Sequence, residues 1–124
     1  MRSERIMVFT DREEDFANLL IRIGIRKNVA KVLVFLANIP EATFWEIERG
    51  TDLRQPEVSL ALKDLTLRGW IRSRQDHSKN AGHRVRIYEM AKSMEEIFSS
   101  IEKEKKEILE KRMALIRKLR DYIP

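Results

Sequence analysis

The sequence predicts a mainly α-helical fold that carries one small β-hairpin. In the middle of the chain a helical pattern is followed at once by two alternating segments. Pro56 opens that helix and Gly69 closes it, because proline suits the first helical turn and glycine the residue after the last. Segments 70–74 and 84–87 alternate with strand periodicity, and the polar stretch 77–82 is typical of a hairpin loop. This layout predicts a winged helix-turn-helix with an extra N-terminal helix and a long C-terminal dimerisation helix.

Two core-forming helices are predicted before this unit. The first is capped by Thr10 or Asp11 and ends at Gly24, and the second begins near Lys27 or Asn28 and ends before Ile39 and Pro40. Their apolar residues recur at helical spacing, so each helix has one face that we expect to be apolar and largely buried. The residues on these faces are Phe16, Leu19, Leu20 and Ile23 in the first helix, and Val29, Val32, Leu33 and Leu36 in the second.

A third helix begins the predicted helix-turn-helix. Thr43 and Glu46 have the spacing of a capping box, in which each side chain accepts a hydrogen bond from the other residue's backbone N–H. A short turn over residues 50–53, which contains a glycine, leads into the next helix at about 55–68. Two short helices joined in this way form a helix-turn-helix.

From about Lys92 the chain is predicted to be helical almost to its end. A helix of about 30 residues is ~45 Å long, which exceeds the width of a compact domain of this size. Part of its apolar stripe needs another surface, and we expect a second copy of the chain, with an overhanging helix on a monomer as the alternative. The residues expected at this homodimer interface are Leu19, Ile23, Ile97, Phe98, Ile101, Ile108, Leu115 and Leu119. We expect the domain boundary between residues 1–91 and 92–124.

Composition narrows the classes of function. The 124 residues include no cysteine, which excludes thiolate metal sites, disulfides and thiol redox chemistry. The longest wholly apolar run, residues 32–37, is far shorter than the ~20 residues of a membrane-spanning helix. The N-terminus shows no apolar export signal. We therefore expect a cytoplasmic protein without a cofactor and without membrane association.

The positive charge is concentrated in one part of the chain. Residues 54–92 hold 9 basic and 4 acidic side chains, a net charge of +5, which equals the net charge of the whole protein. Residues 1–53 hold 8 basic and 9 acidic side chains, and residues 93–124 hold 8 basic and 7 acidic. Because the excess coincides with the helix–hairpin unit, it predicts nucleic-acid binding, with a merely solvated basic face as the alternative.

Residues 28–90 resemble the winged-helix domains of the MarR, TrmB and ArsR groups of transcriptional regulators. The resemblance covers about half of the chain and rests on a leucine-bearing helix, Gly-Trp-Ile at 69–71 and a charged hairpin. The acidic-capped first helix leading into residues 24–28 is most similar to the TrmB type common in archaea, which often carries a sugar-binding domain that is missing from this sequence. The ArsR type needs cysteines or clustered histidines and carboxylates, which are also missing, so no effector is indicated.

The resemblance implies a sequence-specific, double-stranded DNA-binding transcriptional regulator that acts as a homodimer on a pseudo-palindromic site. The helix at about 55–68 would enter the major groove, and the wing at about 71–90 would lie on the backbone or minor groove. Glu57 either reads a cytosine amino group or faces aside. Trp45 is interpreted as a half-exposed core residue, with a dimer or DNA-backbone contact as the alternative. The candidate DNA-binding residues are Arg54, Gln55, Ser59 and Lys63 in the helix, Arg72, Arg74, Arg84 and Arg86 on one face of the wing, and Lys79 and His83 nearer its tip.

Three other classes of function are alternatives: an enzyme, a protein-binding adaptor and an RNA-binding protein. The sequence shows no aromatic stacking surface of the kind that proteins binding single-stranded RNA use, which argues against the last. No nucleophile elbow, phosphate-binding glycine loop or paired-carboxylate motif is present, so we expect no enzyme. Asp76, His77 and His83 have a spacing that could hold a metal, but a polar wing tip explains them more simply, and no metal is expected. The stronger alternative is a winged-helix adaptor that binds proteins in a transcription or chromosome-maintenance complex. Four aligned wing arginines would favour DNA over that alternative.

Overall fold

The computed structural model describes residues 10–76 and 85–124. Within these ranges five α-helices and three β-strands follow one another along the chain. They are α1 (Asp11–Arg22), α2 (Lys27–Ala37), β1 (Ala42–Thr43), α3 (Phe44–Thr51), α4 (Gln55–Leu67), β2 (Ile71–Asp76), β3 (Val85–Met90) and α5 (Met94–Arg120). The chain divides into two compact units, Met1–Lys92 and Ser93–Pro124. The mainly helical class and the winged helix-turn-helix order predicted from the sequence are confirmed.

Capping boxes start three of the helices. At α1 the backbone N–H of Glu13 donates to Thr10 Oγ1 at 3.2 Å, and the N–H of Thr10 donates to Glu13 Oε1 at 2.8 Å. Thr43 and Glu46 form the same pair at α3, as the sequence predicted, and Ser93 and Glu96 form it at α5. Each box satisfies two backbone donors that a helix start leaves without intrahelical partners, so these boundaries are encoded locally.

Helix α2 is the centre of the core. It packs against α1, α3, α4 and β3. The four residues predicted to face inward are buried, and three further residues on the remaining sides are buried as well. These additional residues are Ala30, Val34 and Phe35. The prediction of a single buried face was too narrow for α2, because a helix that is surrounded by other elements is apolar on nearly all sides.

The apolar face of α1 is rotated relative to the prediction. Ala17 and Leu20 are buried, whereas Leu19 and Ile23 remain 59% and 45% exposed. The small side chain of Ala17 contributes little to a hydrophobic pattern, so the spacing of the larger residues indicated the wrong centre for the buried face. Two large apolar side chains of α1 therefore face solvent in the single chain.

The sheet has three strands rather than the two of the predicted ribbon. Its order is β1-β3-β2, and both pairings are antiparallel. In the additional strand, Ala42 pairs with Tyr88 and Thr43 with Ile87. A strand of two residues is too short to show alternation, so the sequence carried no periodic signal for it.

The turn of the helix-turn-helix differs from its prediction. Helix α3 continues through Gly50 to Thr51, and the residue with a left-handed backbone is Asp52, with φ of 59°. Gly50 is buried inside the helix, where a Cβ atom would lie 2.7 Å from Cζ of Phe35 in α2. Gly50 therefore permits α3 to approach α2 closely, and Asp52 makes the turn, a role that aspartate tolerates better than most residues.

Candidate nucleic-acid interface

Helix α4 places its predicted groove residues in solvent. Val58, Ala61, Leu62 and Leu65 form its buried side, which fixes the opposite side as the outward one. The four predicted groove residues are all exposed, and they are Arg54, Gln55, Ser59 and Lys63. Neither of the two cations, Arg54 and Lys63, forms an ion pair with any residue in the described ranges. Their charges are therefore uncompensated within this part of the protein.

Glu57 has a structural role at the start of α4. Its carboxylate accepts a hydrogen bond from the backbone N–H of Arg54 at 2.9 Å, as the third residue of a capping box does. Arginine carries no acceptor, so only this half of the box exists. The backbone oxygen of Glu57 also accepts a hydrogen bond from Nδ2 of Asn28 in α2 at 3.0 Å. This arrangement accounts for an acidic residue at the start of α4 without base reading.

Two exposed leucines on α4 were missed from the sequence. Leu60 is 61% exposed and Leu67 is 79% exposed. The signal was present, because Leu60 is two residues from both Val58 and Leu62 and so cannot share their side of a helix. The outward side of α4 is thus partly apolar, and it is not the purely polar surface that the candidate residues suggested.

The hairpin register separates the predicted wing arginines. Arg72 is opposite Glu89, Arg74 is opposite Ile87, and Arg86 is opposite Gln75. Cross-strand partners share a face and neighbours along a strand alternate, so Arg72 and Arg74 lie on one face and Arg86 on the other. The prediction that these arginines share one face is therefore wrong. Each strand alternates as expected, but the register between strands was not available from periodicity.

Carboxylates compensate the two arginines of β2. Arg72 Nε donates to Glu89 Oε2 at 2.8 Å, and Arg74 contacts Glu41. Arg74 also lies 3.7 Å from Glu89 Oε1 and 3.9 Å from Asp76 Oδ2. The hydrogen bond from Arg72 lowers the pKa of Glu89, and the neighbouring charges of Arg72 and Arg74 add to this against the opposing effect of partial burial. This face of the wing is balanced rather than strongly basic.

Arg86 has a different environment on the other face. It is exposed, and its Nη1 donates to Ser73 Oγ at 3.0 Å, with no ion pair to a described residue. The remaining predicted wing residues, Lys79, His83 and Arg84, lie outside the described residues, as does most of the Asp76, His77 and His83 group. Arg86 is therefore the one wing arginine in the described ranges whose charge is not paired.

Trp45 and Arg49 form an exposed pair on α3. The guanidinium of Arg49 lies 4.5 Å from the centre of the Trp45 ring, and the tryptophan is 60% exposed. Trp45 was predicted to be a half-exposed core residue; it is about half exposed, but the buried side of α3 is formed by Ile47, Gly50 and Thr51, so Trp45 does not belong to the core. The spacing of four residues could have indicated the cation–π contact, which holds one more positive charge beside the helix-turn-helix.

The predicted dimerisation residues divide into two groups. Ile97 and Ile101 are buried in the single chain, and Ile108 is partly buried. Most of the large apolar residues in the second half of α5 are exposed, together with Leu19 and Ile23 of α1 and Phe98. Those in α5 are Leu109 (59%), Met113 (47%), Leu115 (59%), Ile116 (44%) and Leu119 (65%). Such a run of exposed apolar side chains is unusual for a surface that faces only water.

Two further observations concern the described ranges. Residues 10–76 and 85–124 contain no group of three or more histidine, cysteine, aspartate or glutamate side chains arranged to hold a metal ion. No helix in these ranges combines the length and the apolar character needed to cross a bilayer.

The helix-turn-helix formed by α3 and α4, followed by the β2–β3 hairpin, defines a winged helix-turn-helix fold. No protein-family model and no curated protein matches the sequence. Among solved structures, a possible transcriptional regulator from Methanosarcina mazei Go1 is similar, with a TM-score of 0.59, 18% identity, and coverage of 90% of this chain and 88% of that one. A MarR family transcription regulator is similar with a TM-score of 0.52, 18% identity, and coverage of 90% and 82%. At these identities the similarity establishes the fold.

Proposed function

We propose that the protein is a sequence-specific, double-stranded DNA-binding transcriptional regulator that acts as a homodimer. Helix α4 enters the major groove, and the β2–β3 wing lies on the backbone or minor groove. The observation that carries this proposal is that Arg54, which caps α4, and Gln55, Ser59 and Lys63 of α4 are exposed, and that both cations lack ion-pair partners among the described residues. Such side chains are available to base edges and phosphates.

Charge and fold support the same assignment. The net charge of +5 on residues 54–92 lies on the segment that contains α4 and the hairpin. A polyanion is the natural partner of a surface with this excess, because cations on the protein replace counterions condensed on DNA. The two similar structures are themselves described as a possible transcriptional regulator and a transcription regulator. These features favour DNA as the ligand of the helix-turn-helix.

The two arginines of β2 contribute less than the sequence suggested. Arg72 and Arg74 would have to exchange Glu89, Glu41 and Asp76 for phosphate, so part of any gain is offset by the lost ion pairs. Arg86 carries no such cost among the described residues. We therefore assign base reading and most of the affinity to α4, with Arg86 as the principal described contact of the wing.

The exposed apolar stripe of α5 supports the homodimer. At 1.5 Å per residue the 27 residues of α5 extend ~40 Å. Leu115 and Leu119 lie one turn apart on the apolar side and are 59% and 65% exposed. A second copy of the same helix offers a matching stripe, and two-fold symmetry would place two α4 helices on half-sites about 34 Å apart.

Sedimentation of the purified protein tests the dimer. A monomer has a mass of 14.7 kDa, so the expected dimer has twice that mass. The variant Leu115→Gln with Leu119→Gln is expected to sediment as a monomer at concentrations where the wild type is dimeric. Lys103→Gln with Glu110→Gln is the matched control, because it also leaves the net charge unchanged and lies on the opposite side of α5. A monomeric wild type would contradict the homodimer.

One observation favours the alternative of a protein-binding adaptor. The wing face that carries Arg72 and Arg74 is balanced by the carboxylates of Glu41, Asp76 and Glu89, which DNA binding does not require. In the adaptor, Trp45 and the exposed leucines of α4 would contact a partner protein. The two functions differ in one simple measurement, since an adaptor shows weak binding to DNA without sequence preference.

Fluorescence anisotropy across a salt series tests DNA binding. The probe is a duplex from upstream of the protein's own gene, and a scrambled duplex of equal composition is the comparison. We expect tighter binding to the first duplex, with an affinity that falls steeply as salt increases. The variant Arg54→Ala with Lys63→Ala should lose at least about tenfold in affinity, since each base-reading side chain contributes ~1–3 kcal/mol.

The matched control is Arg12→Ala with Lys103→Ala, which removes one arginine and one lysine from exposed positions outside the helix-turn-helix and the wing. If both double variants lose the same affinity, the protein binds DNA through general basicity alone. Equal and weak binding to the two duplexes by the wild type would refute the proposal and favour the adaptor.

A further inference from the structure

The most outward positions of α4 are largely apolar. Successive residues of an α-helix are rotated by about 100°, so the buried side formed by Val58, Ala61, Leu62 and Leu65 identifies the residues opposite to it. Those residues are Pro56, Leu60, Lys63 and Leu67, and all four are exposed. The predicted polar readers Gln55 and Ser59 lie to one side of this ridge. The outermost surface of the helix is therefore an apolar ridge interrupted by a single lysine.

Packing within the described ranges does not account for this ridge. Leu60 is 61% exposed and Leu67 is 79% exposed, so neither contributes most of its apolar surface to the core. A partner that covers them must present apolar groups to a helix that also carries the unpaired cations Arg54 and Lys63. The major groove of DNA meets both conditions, because it is anionic and each thymine projects a C5-methyl group into it.

We infer that Leu60 packs against a thymine C5-methyl group and so selects thymine at one position of each half-site. This inference rests on the proposed function. Leu60 is in the N-terminal half of α4, the part of a recognition helix that reaches base edges. Leu67 is the last residue of the helix, ~10 Å farther along its axis. The specificity of the protein therefore depends on this apolar contact as well as on the hydrogen bonds expected of Gln55 and Lys63.

The test removes single methyl groups from the DNA. A site is first selected from a randomised duplex pool with the wild-type protein, and duplexes are then synthesised in which each thymine in turn is replaced by deoxyuridine. Deoxyuridine pairs as thymine does but lacks the C5-methyl group. Affinities are measured by anisotropy at one salt concentration for the wild type, Leu60→Ala and Leu67→Ala. Both substituted leucines are exposed, and circular dichroism verifies that the variants remain folded.

In each half-site we expect one thymine whose single replacement by deoxyuridine weakens wild-type binding about fourfold, the effect of one buried methyl group. Leu67→Ala should show the same loss, whereas Leu60→Ala should bind the two duplexes equally. Sequence-specific binding that is unaffected by deoxyuridine at every position would overturn the inference, as would a Leu60→Ala variant as sensitive as the wild type. In both of those cases the proposed function stands. A selection that enriches no sequence overturns the proposed function and the inference together.

Discussion

Helix α3 approaches α2 closely at Gly50, and this contact allows a sharp test. Replacing Gly50 with alanine adds a Cβ atom 2.7 Å from Cζ and 2.8 Å from Cδ1 of Phe35, distances that real Cβ contacts essentially never show. Phe35 is 6% exposed and belongs to the central helix, so its ring has little room to move. Overpacking of this kind costs ~1–3 kcal/mol, against a gain of about 1 kcal/mol in helix propensity. We expect Gly50→Ala to lower the free energy of unfolding by ~0–2 kcal/mol.

Urea denaturation followed by circular dichroism measures this change. The control is a double-mutant cycle with Phe35→Leu, which removes the Cε1 and Cζ atoms of the ring. In the Phe35→Leu background, Gly50→Ala should cost less than in the wild type, because the helix-propensity gain remains and two of the three close contacts are removed. A Gly50→Ala variant that is more stable than the wild type would refute the close approach of α3 to α2. The same cost in both backgrounds would show that the destabilisation does not arise from Phe35.

Three further substitutions test local features. Arg72 lowers the pKa of Glu89 in the folded state. The ion pair therefore stabilises the fold above the unfolded pKa of about 4.3, and this stabilisation is lost as the pH falls through the lower pKa of the folded state. Glu89→Gln should cost ~0.5–1 kcal/mol at pH 7 and nothing at strongly acidic pH. A pH-independent difference in urea midpoint would contradict this. Ser93→Ala removes the Oγ that accepts from Glu96 N at 3.1 Å and should cost about 1 kcal/mol in the same assay. Gly69 has φ of +78°, and no atom lies within 4 Å of the position that a Cβ would take. Gly69→Ala should therefore cost ~1–2 kcal/mol through backbone strain, and Gly69→Asn should cost less, because asparagine tolerates a left-handed backbone better. Equal costs for the two variants would argue against backbone strain as the cause.

The elements of the fold were predictable wherever their signals are local. Capping residues, Pro56 and Gly69 marked helix ends to within a residue or two, because each acts through the backbone of its own turn. The errors arose where a residue's role depends on a distant element. Gly50 has the sequence context of a turn residue, but it lies inside α3 against Phe35 of α2. Leu19 has the spacing of a core residue, but Ala17 is buried on α1 and Leu19 is exposed.

The candidate site was predicted unevenly for a similar reason. The exposure of the α4 residues follows from helical periodicity, which the sequence contains in full. The wing required the register between β2 and β3, and a shift of one residue reverses which side chains share a face. Arg86 therefore lies across the sheet from Arg72 and Arg74. Glu41 and Arg74 are 33 residues apart in the sequence, so no local pattern could predict that they pair.

The ion pairs of the wing bear on how specificity and affinity are divided in the proposed complex. A phosphate that approaches Arg72 or Arg74 competes with Glu89 and Glu41, which already hold them, so these cations add less to nonspecific binding than free arginines would. The unpaired cations of α4 lie beside the apolar ridge formed by Pro56, Leu60, Lys63 and Leu67. In the proposed complex, part of the wing would therefore attract any duplex less strongly, whereas α4, which is proposed to read the bases, would keep its attraction. Specificity is the difference between the free energies of binding to correct and incorrect sites. A weaker sequence-independent attraction at the wing reduces binding to incorrect sites, and so favours discrimination even when the number of base contacts is unchanged.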